Sequence, residues 1–551
     1  MKRSKQCAPS TPIPAASKRL SAILLDSLLL CGAFSVVAYT LYAFGQAYSP
    51  ALFADTWTVL INYKDADFHI TPAILFGFHS EHRPLYARIA ILADTLWAGG
   101  RGLVPFASIF LVQAAHAGLL IHIARMQTWF RPRHAAVTTA LALFCCFSPA
   151  QMENFIWTFQ IAFVLNFLFA TGAIVAVVQQ KVSGDPRLAA AVAFCAISAP
   201  LCLASGVLVW WIAIATAIAI GLSRKWIAAY SSIAILTTLL YFQGYKQPVS
   251  HGNPMEALTR PLEVVHYVAI FLAHSWKWWT IAFGELLAAG AVVLMAGKVL
   301  QAFWKRPENP WQTVPLAVMV FSLGTGFLAA LGRLKFGIEQ AGASRYQTPA
   351  LLFWFMAALL LLSAIQKYSV RWQVAYSVSS LAAMLSLFAA LPGVPDELRA
   401  RRSSWDIADA AWMSGVEDTQ SLDALFAGNQ LPLRTTYRQR QLGRFSSSPG
   451  IEIGTTLSAS RILPQDACDG LFARDAFFQS SLWPGIRLRG RARVRRDGRM
   501  VQRFLATTED LQVVGTGAGD TVFASTRDFK APILVFGLLD RNRVCSIPIH
   551  H

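Results

Sequence analysis

The chain is predicted to be mainly α: a polytopic membrane helix bundle followed by a C-terminal extramembrane α+β domain that ends in a β-sandwich. Three observations point there. Of 551 residues, 55% are hydrophobic and only 14% charged, and the mean hydropathy is +0.45, far from the balance of an ordinary soluble domain. Apolar windows long enough to cross a hydrocarbon core of about 30 Å, which takes roughly 20 helical residues, recur from about residue 20 to residue 392 and then stop. From about residue 450 the pattern changes to short alternating runs broken by Gly, Asp and Asn, the period of strands rather than of helices.

Eleven spans are expected, near 20–43, 103–124, 135–150, 158–179, 187–203, 205–222, 226–243, 280–301, 314–332, 348–365 and 373–391. The segment 262–279, apolar in its middle but short and Trp-rich, reads as an interfacial or re-entrant helix. Positively charged flanks resist translocation, so orientation follows from Lys and Arg in short loops. Lys18 and Arg19 precede the first span; Arg125, Arg131 and Arg133 follow the second, Lys181 and Arg187 the fourth, and Arg224 and Lys225 the sixth. Lys305 and Arg306 follow the eighth, and Lys367 and Arg371 the tenth, so all these clusters fall on one side. The expected layout is a cytoplasmic tail at 1–19, a transmembrane domain at 20–392 with a long first outside loop at 44–102, a helical connector at 393–450, and a β-rich domain at 451–551 on the same outer side. In a bacterium this corresponds to an inner-membrane protein with a cytoplasmic N-terminus and a periplasmic C-terminal domain.

Much of the net charge of +18 comes from these inside loops and from arginine-rich patches such as RLRGRARVRRDGR at 487–499. Such charge favours membrane lipids with anionic headgroups or an acidic glycan as partners, and no nucleic acid is expected. Among the eight cysteines, Cys31, Cys145, Cys146, Cys195 and Cys202 lie in or near spans and behave as small apolar residues. Cys468 and Cys545 both belong to the outer domain, where a bridge would need their Cα atoms within about 7 Å. No CxxC or Cys/His zinc spacing occurs; Asp55, Asp65, Asp67, His79, Glu81 and His82 offer enough oxygen and nitrogen ligands for a metal, yet no HExxH or DxD string fixes a site, so none is assigned, and no cofactor is expected. The β-rich tail is expected chiefly to cap the membrane domain.

Ionisable groups concentrate on the outer side. The first loop is much longer than a helix connection needs, and HSEHRPLYARI (79–89) with its surroundings brings Asp55, His79, Glu81, His82, Arg83 and Arg88 into it; such loops tend to carry function. In SPAQMENFIWTFQ (148–160), Glu153, Trp157 and Gln160 follow i, i+4, i+7 spacing and are expected on one helical face. GRLKFGIEQAGASRYQTP (332–349) puts Arg333, Lys335 and Arg345, beside Tyr346, on the side where cations are usually scarce. Cations there suggest an anion to be met, such as a phosphate at the membrane surface. The bland alternative is mutual satisfaction, Glu81 with Arg88 and Asp65 with Lys64.

This layout resembles the GT-C class of polyprenyl-phosphate-sugar-dependent membrane glycosyltransferases, in a bacterial branch of multi-span proteins. That class carries an acid soon after the first span and, further on, a cationic residue followed by Pro-Leu. Here FADTW supplies Asp55 and EHRPLYARI supplies Arg83, Pro84 and Leu85, although Thr56 stands where a second acid is usual and His-Arg-Pro-Leu replaces Lys-Pro-Pro-Leu. HSEHRP, QMENFIWTFQ and ASRYQTP add to the likeness, which covers about 390 residues.

The resemblance implies transfer of a sugar from a polyprenyl-phosphate-linked donor to a glycan or lipid acceptor, without a cofactor. Inverting transfer needs a base on the acceptor and, opposite it, cations that stabilise the departing phosphate. Asp55 is the candidate base, and Glu81 is the second candidate catalytic carboxylate. Arg83, Lys335 and Arg345 are candidates for the phosphate, with His82, Arg88 and Tyr346 completing the substrate-binding set. Glu153, Trp157 and Gln160 would line a sugar pocket, since the apolar face of a pyranose stacks on Trp. On this reading Asp55 and Arg345 face a common space and do not pair with partners of their own. The competing expectation is a transporter or flippase component that binds lipid-linked glycans without chemistry. It calls for ionisable groups within spans and for repeated halves, whereas the spans hold few such groups, Asp26, His116, His122 and Glu285 among them, and show no repeat.

Overall fold

The computed structural model describes residues 15–61, 70–248, 252–276, 280–365, 375, 379, 394–426, 431–447, 453–527, 533–540 and 543–550. Long apolar runs make the bundle: α1 (Ala15–Ala47), α2 (Asp55–Ile61), α3 (Pro72–Phe76), α4 (Leu85–Trp97), α5 (Leu103–Arg125), α6 (Ala135–Phe147), α7 (Met152–Ile156) and α8 (Ile161–Ser183). They continue as α9 (Leu188–Ser198), α10 (Leu208–Ala219), α11 (Arg224–Phe242), α12 (Pro254–Leu258), α13 (Pro261–Ala273), α14 (Ile281–Trp304), α15 (Thr313–Arg333) and α16 (Gln347–Ile365). Among the described residues, eight helical stretches are long and apolar enough to cross a bilayer: Ile23–Ala47, Leu103–Arg125, Pro132–Ile156, Thr158–Ser183, Arg224–Phe242, Ile281–Trp304, Pro310–Phe336 and Ser344–Ile365. They fall on the first four expected spans and on the seventh to the tenth.

The fifth and sixth spans depart from expectation. α9 has 11 residues and α10 has 12, about 17 and 18 Å at 1.5 Å per residue, well short of a hydrocarbon core. The cause is local. Pro200 cannot continue a helix, and at Gly206 the chain folds back so closely that a Cβ would lie 2.2 Å from the carbonyl carbon of Ala199. α13, within the segment read as interfacial or re-entrant, has 13 residues and packs through the buried Tyr267 and Phe271 onto α15 and α16. The eleventh expected span, 373–391, lies, apart from Ala375 and Ser379, outside the described residues.

The loops gather at two ends of the bundle. At one, Gln127 donates to the Trp311 carbonyl (3.1 Å), Asn309 to that of Met126 (3.4 Å) and Lys181 to that of Gly221 (2.8 Å), which joins the lysine- and arginine-rich connections. At the other, the first loop meets the turns after α7, α9 and α11 and the end of α15. α17 (Val394–Ser414) lies at this second end. Its Trp412 meets Trp57 edge-on at 5.1 Å and its Trp405 meets Phe53 at 4.4 Å. Ala54 N–H donates to Leu425 O and Gly443 N–H to Gly99 O, each at 2.7 Å. The first loop and the connector thus share one end, as the charge pattern requires.

The tail strands are β1 (Cys468–Phe478), β2 (Gly485–Val494), β3 (Arg503–Thr507), β4 (Val513–Ala518), β5 (Thr521–Ser525), β6 (Leu534–Leu538), β7 (Val544–Ile547) and β8 (Ile549–His550). In place of the expected sandwich they form one sheet in the order β7-β6-β3-β4-β5-β2-β1-β8. The sheet curls on itself. From β7 to β1 there are six strand steps, about 29 Å across a flat sheet at ~4.8 Å each, yet Cys468 and Cys545 are disulfide-bonded with Cα atoms 5.8 Å apart. Phe472, Leu488, Phe504, Val522 and Val535 fill the enclosed core, and β4 and β5 pack against α17. Replacing both cysteines by Ser is expected to cost about 2–4 kcal/mol, because the bridge restrains the unfolded chain. Hydrogen exchange of β1 and β7 amides in the full-length protein checks this, and unchanged protection would show that packing alone closes the sheet.

Candidate functional site

HSEH folds as a two-residue hairpin. His79 N–H donates to His82 O (2.8 Å) and His82 N–H to His79 O (2.9 Å), with Ser80 at φ +53° in the left-handed region that such a turn demands. Opposed residues of an antiparallel pair project to one side, so the two imidazoles leave the turn together. His79 Nε2 lies 3.1 Å from Asp55 Oδ1, and its ring rests 5.2 Å from that of Phe159. His82 Nδ1 accepts from Ala204 N–H at 3.1 Å, which leaves the proton on Nε2, 3.3 Å from Glu81 Oε1. Burial pushes the His82 pKa down to about 4, so at neutral pH this side chain is an uncharged donor and acceptor. Glu81 reaches Arg333 Nη2 at 2.7 Å, and Tyr241 steadies the turn by donating to the Glu81 carbonyl (2.8 Å).

Asp55 opens α2 directly after Ala54, itself at φ +48°. A carboxylate is favoured there by the helix dipole, and the side chain is 31% exposed. Thr56, one residue on, bonds Thr158 at 2.7 Å between hydroxyls, which ties the start of α2 to the turn before α8.

Arg83 and Arg88 hold the loop together. Arg83 donates to the carbonyls of Tyr241 (2.9 Å), Gln243 (2.6 Å) and Phe76, with its guanidinium 3.9 Å above the Phe78 ring. Arg88 is buried and donates to Leu75 O (2.9 Å) and Gly77 O (2.6 Å). The chain around residues 75–84 has little regular structure, so its carbonyls need donors from side chains.

The common face expected for Glu153, Trp157 and Gln160 does not form. α7 ends at Ile156, Trp157 is extended (φ −124°, ψ 113°), and Thr158–Gln160 is a 3₁₀ turn. Trp157 therefore turns to Phe53, 5.7 Å between rings, and Gln160 is fully buried. Glu153 points to Arg345: its Oε1 accepts from Nη1 at 2.8 Å and its Oε2 from the Arg345 backbone N–H at 3.2 Å. Asn154 adds a bond to the Arg345 carbonyl (3.0 Å) and another to Thr348 (2.7 Å).

Arg333 and Arg345 line one open cavity of about 600 Å³ together with Phe336, Glu339, Gln340, Gly342 and Ala343. Lys335 is exposed and lies outside that lining. Tyr346 is buried beneath the Arg345 guanidinium, 5.1 Å from its ring centre. Asp55 and Arg345 were expected without partners, and both have them: His79 for Asp55, Glu153 and Tyr346 for Arg345. A carboxylate has about four acceptor sites and a guanidinium five donors, so these partners orient the two groups without exhausting them. His79 and Arg333 are the members missing from the expected set; the His-x-x-His spacing of a tight turn and the misplaced positive charge were the signals for them.

Compared with family models, curated proteins and solved structures, the chain has no match. The eight membrane-length apolar helices among the described residues make it a multi-pass membrane protein, with a cation-lined cavity at one end of the bundle.

Proposed function

We propose that the chain is a membrane glycosyltransferase of the GT-C type, moving a sugar from a polyprenyl-phosphate donor to a cell-envelope glycan or lipid acceptor at the outer face of a bacterial inner membrane. The observation that carries this reading is the tie between an acid–imidazole pair and a cation-lined cavity: Asp55 meets His79, and Glu81, two residues on, meets Arg333 at the cavity wall. Asp55 is assigned as the base on the acceptor, with His79 fixing its orientation. Arg333 and Arg345 receive the departing phosphate, held in plane by Glu81 and Glu153. A transition state that builds negative charge on phosphate oxygens is stabilised by such preorganised donors.

Binding of undecaprenyl phosphate to the purified protein in nanodiscs tests the anion side. Arg345→Ala is expected to weaken it about 10- to 100-fold, the value of a hydrogen bond to a charged group. Equal binding by the double variant Arg345→Ala/Glu153→Ala and the wild type would remove Arg345 from the phosphate site. Binding that persists without turnover on any acceptor would favour the transporter reading.

Orientation has its own test. Cysteines placed at Asp497 in the tail and at Asp185 between α8 and α9 are expected to react with an impermeant maleimide in intact spheroplasts at the tail position only. Labelling of Asp185→Cys instead would invert the proposed topology.

A further inference from the structure

The β1–β2 pair carries a basic row that the cavity does not use. From Cys468 to Met500 the sequence holds eight arginines, three aspartates and no lysine. Ile486, Leu488 and Ala492 of β2 point into the closed core, so Arg487, Arg489, Arg491 and Arg493 share the outer face, about 6.8 Å apart. The inner end is anchored, with Arg487 bonded to Asp418 (2.7 Å) and Asp475 (2.6 Å) and only 11% exposed. Further out, Arg489 lies 3.3 Å from Asp475 and Arg493 3.1 Å from Asp469, with the two arginines 56% and 62% exposed. Arg491 stands opposite Leu471. Arg495, Arg496 and Arg499 carry exposed positive charge past the strand into the following turn. Along the flank on β1, Leu471, which shares this face with Arg491, is 49% exposed.

We propose that this face binds a carboxylate-bearing polysaccharide laid along β2. The row is linear and evenly spaced, which suits a polymer with one charge per repeat. Its cations are all arginine, whose planar fork takes a carboxylate through two parallel hydrogen bonds. Attraction to an anionic membrane surface acts on point charge and would be served as well by lysine. The exposed Leu471 offers the non-polar faces of sugar rings a surface to rest on. Four carboxylates, Asp418, Asp469, Asp475 and Asp497, offset part of the charge of the seven arginines from Arg487 to Arg499 and leave three positive charges over. The proposal does not depend on the transfer reaction assigned to the cavity.

The test uses the full-length protein in zwitterionic nanodiscs, with short polygalacturonate oligomers as probe and neutral dextran as control. The wild type is expected to bind the oligomers in a salt-sensitive manner and to ignore dextran. Arg491→Gln/Arg493→Gln/Arg495→Gln should weaken binding by about tenfold or more and flatten its salt dependence. Arg491→Lys keeps the charge and removes the fork, and it too should bind the oligomers more weakly. Wild-type affinity in either variant, equal binding of dextran, or an effect of the triple variant on phosphatidylglycerol vesicles with none on polygalacturonate would each overturn the proposal.

Discussion

Replacing Asp55 by Asn is expected to lower sugar transfer about 10²- to 10⁴-fold, the usual worth of a positioned base, while donor binding stays close to wild type. Asn keeps the volume and still offers an oxygen to His79 Nε2, now 3.1 Å from Asp55 Oδ1, so the start of α2 and the HSEH turn have no reason to move. What disappears is the capacity to take a proton from the acceptor. A loss confined to kcat, with donor affinity preserved, is the signature of a group that acts in the transition state. Initial rates with a labelled polyprenyl-phosphate sugar decide it. Normal transfer by the Asn variant would exclude Asp55 as base and move the transporter reading ahead.

The second large effect is expected at the connector. Arg444 is 8% exposed and sits between Asp409 (3.0 Å, 3% exposed) and Asp406, with Ser49 of the first loop at 3.3 Å. Arg444→Ala would leave Asp409 as a buried charge without its cation, a change that costs about 3–5 kcal/mol. Burial holds the Asp409 pKa up at about 6 even though Arg444 pulls it down. Because the folded value lies above the ordinary 3.8, protonation of Asp409 favours the folded state; this contribution is complete below the lower value and lost as pH rises through the upper one. Without Arg444 the Asp409 pKa moves further up, so the variant is expected to be weakest at neutral and higher pH and to recover on acidification. Arg444→Ala/Asp409→Asn should recover at neutral pH as well. His82 titrates with the opposite sign, its folded pKa lying below the ordinary value of 6.5, so stability it contributes is lost on acidification. The measurement must be local for that reason: proteolytic opening of the connector at pH 7 and pH 5. Equal cleavage of the single variant at both pH values, or no rescue by the double variant, would contradict the account.

The spans were legible because burial in lipid asks for one thing, an unbroken apolar run, and the sequence writes it plainly. α9 and α10 misled because Pro200 and Gly206 read as a loop between two full crossings, when they cut short one pair of half-length helices. β2 was readable from its strict alternation. β1 was not, because its register shifts between Arg474 and Ala476 and the extra residue breaks the period of two. At the site, residue types and the shared end of the bundle could be read, but the pairings could not. Glu81 meets Arg333 across 252 residues and Glu153 meets Arg345 across 192, and nothing local in either segment names its partner. The helical spacing at 153–160 failed for a subtler reason. The chain turns extended at Trp157 without a Gly or Pro to announce it, and the tertiary contact with Phe53 overrides a periodicity that looked continuous.

The HSEH turn also constrains how this segment can change. His79 and His82 face one side only because two residues separate them, and adding or removing one would send the second imidazole to the opposite face. Asp55 could then keep its histidine only if the Ala204 amide lost its acceptor or Glu81 let go of Arg333. Substitution is a mild perturbation by comparison, since Ser80 can give way to other residues that accept a positive φ. The turn behaves as a gauge graduated in whole residues: its letters can drift, but its length cannot, and a single-codon insertion here should do more harm than many replacements in the spans that surround it.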